Sequence, residues 1–120
     1  MKVLVVDDSK IARISVIKNV VGVMPDVEVF EATNGLEAVE LFAKERPSAV
    51  FLDLTMPVMN GYEALKRIME IDKAAQVIIV SADIQSEAKL RVLAAGAKNM
   101  YPKPINHEIV KLVFEKDLLV

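Results

Sequence analysis

The sequence predicts a single α/β domain built on a doubly wound, five-stranded parallel sheet. Three observations carry that prediction. Short runs rich in Val and Ile recur five times along the chain. Segments of helical period separate them, each of about ten to fourteen residues, the length a crossover between parallel strands needs. The first and third runs, "VLVV" and "AVFL", are apolar throughout, as central strands covered on both faces must be.

The elements follow in order. Strands are expected at 2–7 ("KVLVVD"), 27–32 ("VEVFEA"), 49–53 ("AVFLD"), 76–81 ("QVIIVS") and 98–101 ("KNMY"). Between and after them run apolar stripes at helical spacing: Ile11, Ile14, Ile17 and Val21; Ala38, Leu41 and Phe42; Leu65, Ile68 and Met69; Ala88, Val92 and Ala95; Ile109, Leu112 and Val113. Pro25 stops the first helix, and Gly96 after "RVLAA" ends the fourth. "TNG" at 33–35 resembles a hairpin turn, but "LEAVELFAKE" follows it with helical period, so it is read as the start of a helix.

Composition limits the function classes. A chain of 120 residues that is 53% apolar can build one core, giving one domain over 1–120. Its 15 basic and 17 acidic residues are interspersed, for a net charge of −2, so no basic block points to nucleic acid. Cysteine is absent, which excludes disulfides and thiolate metal sites. The run "VLVV" is too short for a signal-peptide core, and no apolar stretch approaches a membrane span. A soluble cytoplasmic domain with no membrane contact is expected.

The polar residues at the strand ends raise the functional question. "VLVVDDSK" carries a buried strand straight into two adjacent carboxylates, Asp7 and Asp8. The third strand ends at Asp53, the fourth at Ser81, and Lys103 follows the fifth; the second ends in Glu31-Ala32 with no matching group. Loops at the carboxyl edge of a doubly wound sheet are where such folds collect functional groups. Carboxylates without imidazole or thiolate suit a hard cation, by default Mg²⁺. One carboxylate can act as nucleophile in forming an aspartyl phosphate, while an ammonium and a hydroxyl hold phosphoryl oxygens. Each residue has a plainer reading: Asp-Asp or Ser81 as a helix cap, Lys103 as a solvated charge. Their placement on one edge is what favours function. His107, the only histidine, is read as solvated surface and the six methionines as packing.

In order and spacing, "VLVVDDS", "EATNGLEAVE", "LDLTMPVMNGYEAL", "IIVSA" and "AGAKNMYPKP" resemble the receiver domain of two-component response regulators over essentially the whole chain. The resemblance implies a flavodoxin-like sheet in the order 2-1-3-4-5. It implies that Asp53 accepts a phosphoryl group from a phosphohistidine on a sensor histidine kinase or phosphotransfer protein. Asp8 would ligate Mg²⁺ directly and Asp7 largely through water, with Asp53 and the backbone carbonyl of Thr55 completing the protein ligands. Ser81 and Lys103 would hold phosphoryl oxygens. Because an ammonium can follow the phosphoryl group while carboxylates already hold Mg²⁺, Lys103 is expected to matter more for the response than for metal binding. The Lys103-Pro104 peptide would be cis, and output to a downstream protein would run through the fourth and fifth helices and the strand between them. "DDSKIAR" leans toward the stand-alone chemotaxis-type members.

One departure concerns the switch. The family's aromatic position three residues before the lysine holds Met100, with Tyr101 one place late and Pro102 inside the fifth strand. A regular strand makes Met100 the switch residue, whereas a bulge beside Pro102 would restore Tyr101. Two other functions compete. A haloacid-dehalogenase-type phosphatase uses a similar residue set, but its nucleophile lies on the first strand within Asp-x-Asp. A receiver-like adaptor that binds partners without phosphorylation has no need of the complete acidic set.

Overall fold

The computed structural model describes residues 1–83 and 85–118. Strands and helices alternate along it: β1 Lys2–Val6, α1 Lys10–Val23, β2 Glu28–Ala32, α2 Gly35–Glu45, β3 Ala49–Leu52, α3 Gly61–Ile71, β4 Val77–Ser81, α4 Ser86–Ala94, β5 Asn99–Pro102 and α5 His107–Leu112. A π-helical segment, Val113–Asp117, continues α5. The five strands are parallel in the order β2-β1-β3-β4-β5, the doubly wound sheet the sequence predicts.

Strand alternation sorts the core into two layers. Leu4, Val6, Val50, Leu52, Val77, Ile79 and Met100 face α2, α3 and α4, where they meet Ala38, Phe42, Leu65, Ile68 and Val92. Val3, Val5, Phe51, Ile78 and Val80 face α1 and α5, where they meet Val16, Val20, Val110 and Phe114. β1 is buried beyond Lys2, and β3 and β4 throughout, because both sheet faces are covered.

The expected stripe on α1 is corrected. Ile11, Ile14 and Val21 are exposed, and Ile17 is half-buried; Val16 and Val20 are the residues that face the sheet. Apolar side chains surround this helix on nearly every face, so spacing alone could not choose the buried one. Ala95, expected on the α4 stripe, is exposed because the helix ends at Ala94. The chain then turns through Gly96 at φ +111°, a left-handed conformation that suits glycine. Asn34 caps α2, accepting from Glu37 N–H at 2.9 Å, which settles "TNG" as the start of a helix. His107 is exposed on the first turn of α5.

Candidate functional site

Three strand ends build the site. β1 carries Asp7 to the carboxyl edge, where its N–H donates to Ala32 O at 3.1 Å. β3 carries Asp53 beside it, with Asp53 N–H donating to Val6 O at 3.0 Å. Adjacent strands thus bring together carboxylates that lie far apart in sequence. One oxygen each of Asp7, Asp8 and Asp53 falls within 4.8 Å of the others. Asp7 and Asp53 are only 4% and 5% exposed, whereas Asp8 is open to solvent.

Capping does not account for the acidic pair. The N-cap of α1 is Ser9, whose Oγ accepts from Ala12 N–H at 3.2 Å. Asp7 Oδ1 instead accepts from Ser9 N–H at 2.9 Å, and Asp53 Oδ1 from Leu54 N–H at 2.9 Å. Gly61 explains how α3 begins so close to Asp53: a Cβ there would stand 2.1 Å from Asp53 O.

β5 brings the counter-charge. Lys103 N–H donates to Ser81 O at 3.0 Å, joining the ends of β4 and β5. Its Nζ lies 2.5 Å from Asp7 Oδ2 and 3.3 Å from Asp53 Oδ2. Burial, then repulsion from Asp7, raises the Asp53 pKa above the usual aspartate value, against the opposing pull of Lys103 and Leu54 N–H. Burial acts to lower the Lys103 pKa, but its contacts with Asp7 and Asp53 outweigh that and raise it. The Lys103 ammonium thus rests against two of the three carboxylates that meet at this edge.

The donor set fits Mg²⁺. Three carboxylates with neither imidazole nor thiolate are hard ligands, and the ammonium already between two of them marks where positive charge is favoured. Thr55 is exposed on the loop after β3, two residues past Asp53. Ser81 is 1% exposed, and its Oγ accepts from Asp83 N–H at 3.1 Å. The N-cap position of α4 is Gln85, with no side-chain capping bond, so Ser81 is not its cap. The Lys103-Pro104 peptide is cis.

The register of β5 is regular. Ile79 pairs with Met100, Val80 with Tyr101 and Ser81 with Pro102. Met100 therefore lies on the sheet face that Ser81 shares, 7% exposed, and Tyr101 lies on the opposite one. Tyr101 OH donates to Asp117 Oδ2 in the π-helical segment, and Asn99 Nδ2 donates to Tyr101 OH at 3.1 Å.

Sequence reasoning missed two residues at this edge. Arg13 Nη1 donates to Asp7 O at 2.8 Å, and its Nε donates to Glu31 Oε1 at 3.0 Å. Glu31, read as having no counterpart, thus supports the acidic edge through Arg13. The available signal was the buried face of α1, which the wrong stripe concealed.

Comparison with known proteins agrees with this geometry. Residues 3–114 match the response regulator receiver domain family. The chain is 41% identical to the chemotaxis protein CheY of Listeria monocytogenes over 116 residues, covering 97% of each. It is likewise 41% identical to CheY of Thermotoga maritima over 103 residues, 86% of this chain and 85% of that one. Among solved structures, the response regulator domain of Thermotoga maritima CheB superposes with a TM-score of 0.81 at 33% identity, covering 98% of this chain and 92% of that one. A chain of the CheX-CheY-BeF3-Mg+2 complex from Borrelia burgdorferi gives 0.84 at 31% identity, covering 96% and 88%. With its strand order, its acidic edge and these matches in agreement, the chain belongs to the response regulator receiver domain family.

Proposed function

We propose that this chain is a phosphorylation-activated signalling switch, one receiver domain over 1–120, in which Asp53 takes a phosphoryl group in the presence of Mg²⁺. The observation that carries the reading is the meeting of Asp7, Asp8 and Asp53 within 4.8 Å, with the Lys103 ammonium between two of them. The Borrelia burgdorferi relative, solved with BeF3 and Mg²⁺, supports it by likeness.

Asp53 acts as nucleophile. One carboxylate oxygen attacks phosphorus, the bond from phosphorus to a donor imidazole breaks, and the imidazole leaves with its electron pair and takes up a proton. Asp8, Asp7, Asp53 and the Thr55 carbonyl would hold Mg²⁺, which when bound offsets the charge accumulating among the acidic groups. Lys103 follows the phosphoryl group and gives up its contact with Asp7. Ser81 turns its hydroxyl toward a phosphoryl oxygen. Water attack on the same phosphorus later breaks its bond to the Asp53 oxygen, releasing inorganic phosphate and restoring the carboxylate.

The donor is a sensor histidine kinase or phosphotransfer protein, and the setting is the cytoplasm. Among the described residues no helix is long and apolar enough to cross a membrane. Met100 is the switch residue on this reading, since it shares the Ser81 face, and a downstream protein reads the α4–β5–α5 surface. The phosphatase alternative is disfavoured because the residue proposed as nucleophile, Asp53, follows β3 rather than β1. Intact-mass measurement after incubation with a small acyl-phosphate donor tests the proposal. One added phosphoryl group with Mg²⁺, and none in excess chelator, is expected. No mass gain in either condition would favour the phosphorylation-independent adaptor.

A further inference from the structure

We propose that Arg13, charge-compensated by Glu31, is a positioning residue that sets the direction of the Asp8 carboxylate and thereby the affinity of the acidic edge for its divalent cation. The inference rests on the reading of that edge as a Mg²⁺ site. Asp8 is exposed, and its side chain has no hydrogen bond or ion pair among the described residues. Only the backbone therefore aims it.

Two peptide planes flank Asp8, and both are held. The preceding plane carries Asp7 O, which accepts from Arg13 Nη1 at 2.8 Å. The following plane carries Ser9 N–H, which donates to Asp7 Oδ1 at 2.9 Å. Because each peptide is rigid, fixing both planes fixes the backbone angles of Asp8 and the direction in which its Cβ leaves. Asp7 contributes one half of this arrangement itself, and Arg13 contributes the other.

The guanidinium suits the task. Its side chain is 12% exposed, and its planar fork spans two acceptors, Asp7 O and Glu31 Oε1, on neighbouring strand ends. A bare cation bonded to a ligand's own carbonyl would also repel an incoming metal. Glu31 offsets that charge at 3.0 Å while holding the guanidinium in place. Arg13 N–H donates to Ser9 O at 3.0 Å, so the helix carrying the guanidinium is tied to the loop it orients.

The test is calorimetric titration of the full chain with Mg²⁺ alone, for wild type, Arg13→Gln, Arg13→Lys, Glu31→Gln and Asp8→Asn. Arg13→Gln should weaken Mg²⁺ binding about 10-fold, as loss of a partner behind a metal ligand commonly does. Arg13→Lys should fall between it and wild type. The Mg²⁺ concentration that gives half-maximal phosphorylation should rise in Arg13→Gln in step with the loss of affinity. Glu31→Gln should weaken binding at low ionic strength and recover as salt screens the freed guanidinium. In metal-free Arg13→Gln, amide exchange at Asp8 and Ser9 should quicken. Wild-type affinity in a folded Arg13→Gln overturns the proposal; if that variant does not fold, an unchanged Glu31→Gln at low salt overturns it. Failure of the underlying reading is distinguishable, since then wild type and Asp8→Asn would respond to Mg²⁺ alike.

Discussion

Replacing Lys103 by methionine, which keeps length and removes charge, should destabilise the metal-free protein and strengthen its response to Mg²⁺. At the observed 3.3 Å, the ammonium and the Asp53 carboxylate attract by about 5 kcal/mol at an effective dielectric of about 20. The contact with Asp7 is closer still. Desolvation offsets much of this, the Lys103 side chain is 26% exposed, and Asp53 can take up a proton when its partner is lost. The net loss should be about 1–3 kcal/mol near neutral pH, below the usual cost of breaking a fully buried pair. The sign with pH follows from the two shifts. Lys103 has a raised pKa, so its contribution is present below the ordinary lysine value and disappears as pH rises through the raised one. Asp53 also has a raised pKa, so the folded state takes its proton more readily than the unfolded chain, and ionised Asp53 weighs against the fold at neutral pH. The Lys103→Met deficit should therefore shrink as acidification protonates Asp53. On the proposed reading, Mg²⁺ competes with the ammonium for the carboxylates of Asp7 and Asp53. If the variant binds it about 10-fold more tightly, the stabilisation gained from excess Mg²⁺ grows by about 1.4 kcal/mol relative to wild type. Urea unfolding with and without Mg²⁺ measures both quantities. Equal Mg²⁺ increments in the two proteins would refute the shared-oxygen argument.

Val58 is 75% exposed with φ +68°, a conformation costly for a β-branched residue, so Val58→Gly should raise stability by about 1 kcal/mol. A lower midpoint in scanning calorimetry would contradict the strain. Tyr101→Phe deletes the hydroxyl that donates to Asp117 and accepts from Asn99, and should cost about 1–3 kcal/mol with faster amide exchange across 113–117. Unchanged exchange there would mean that the contact does not hold the end of α5. On phosphorylation the Met100 methyl resonance should shift while the Tyr101 ring stays in place; the reverse would make Tyr101 the switch residue.

The fold was legible because buried parallel strands leave a signal that survives without tertiary information: "VLVV", "AVFL" and "VIIV" have no polar residue to interrupt them. The acidic edge was legible because strand ends in this architecture share one side, so Asp7, Asp53, Ser81 and Lys103 could be grouped before any distance was known. α1 was not. Its isoleucines at 11 and 14 satisfy a helical period, yet Val16 and Val20 are the residues buried against the sheet, on a helix with apolar side chains on nearly every face. That error hid Arg13, whose partners are a backbone carbonyl and a carboxylate on another strand. Neither the π-helical segment at Val113–Asp117 nor the left-handed backbone at Val58 has a residue-level signal, since a valine at positive φ runs against its own preference and the apolar spacing of 109–113 fits an ordinary α-helix.

The most direct measurement of the central claim locates the phosphoryl group. Borohydride reduces an aspartyl phosphate at its acyl carbon to the alcohol, releasing phosphate and leaving homoserine. After treatment with the acyl-phosphate donor and Mg²⁺, peptide mapping should find homoserine at position 53 and nowhere else, and Asp53→Asn should show none. Homoserine at position 7 or 8, or a stable phosphate ester on Ser81 with Asp53 unmodified, would contradict the account.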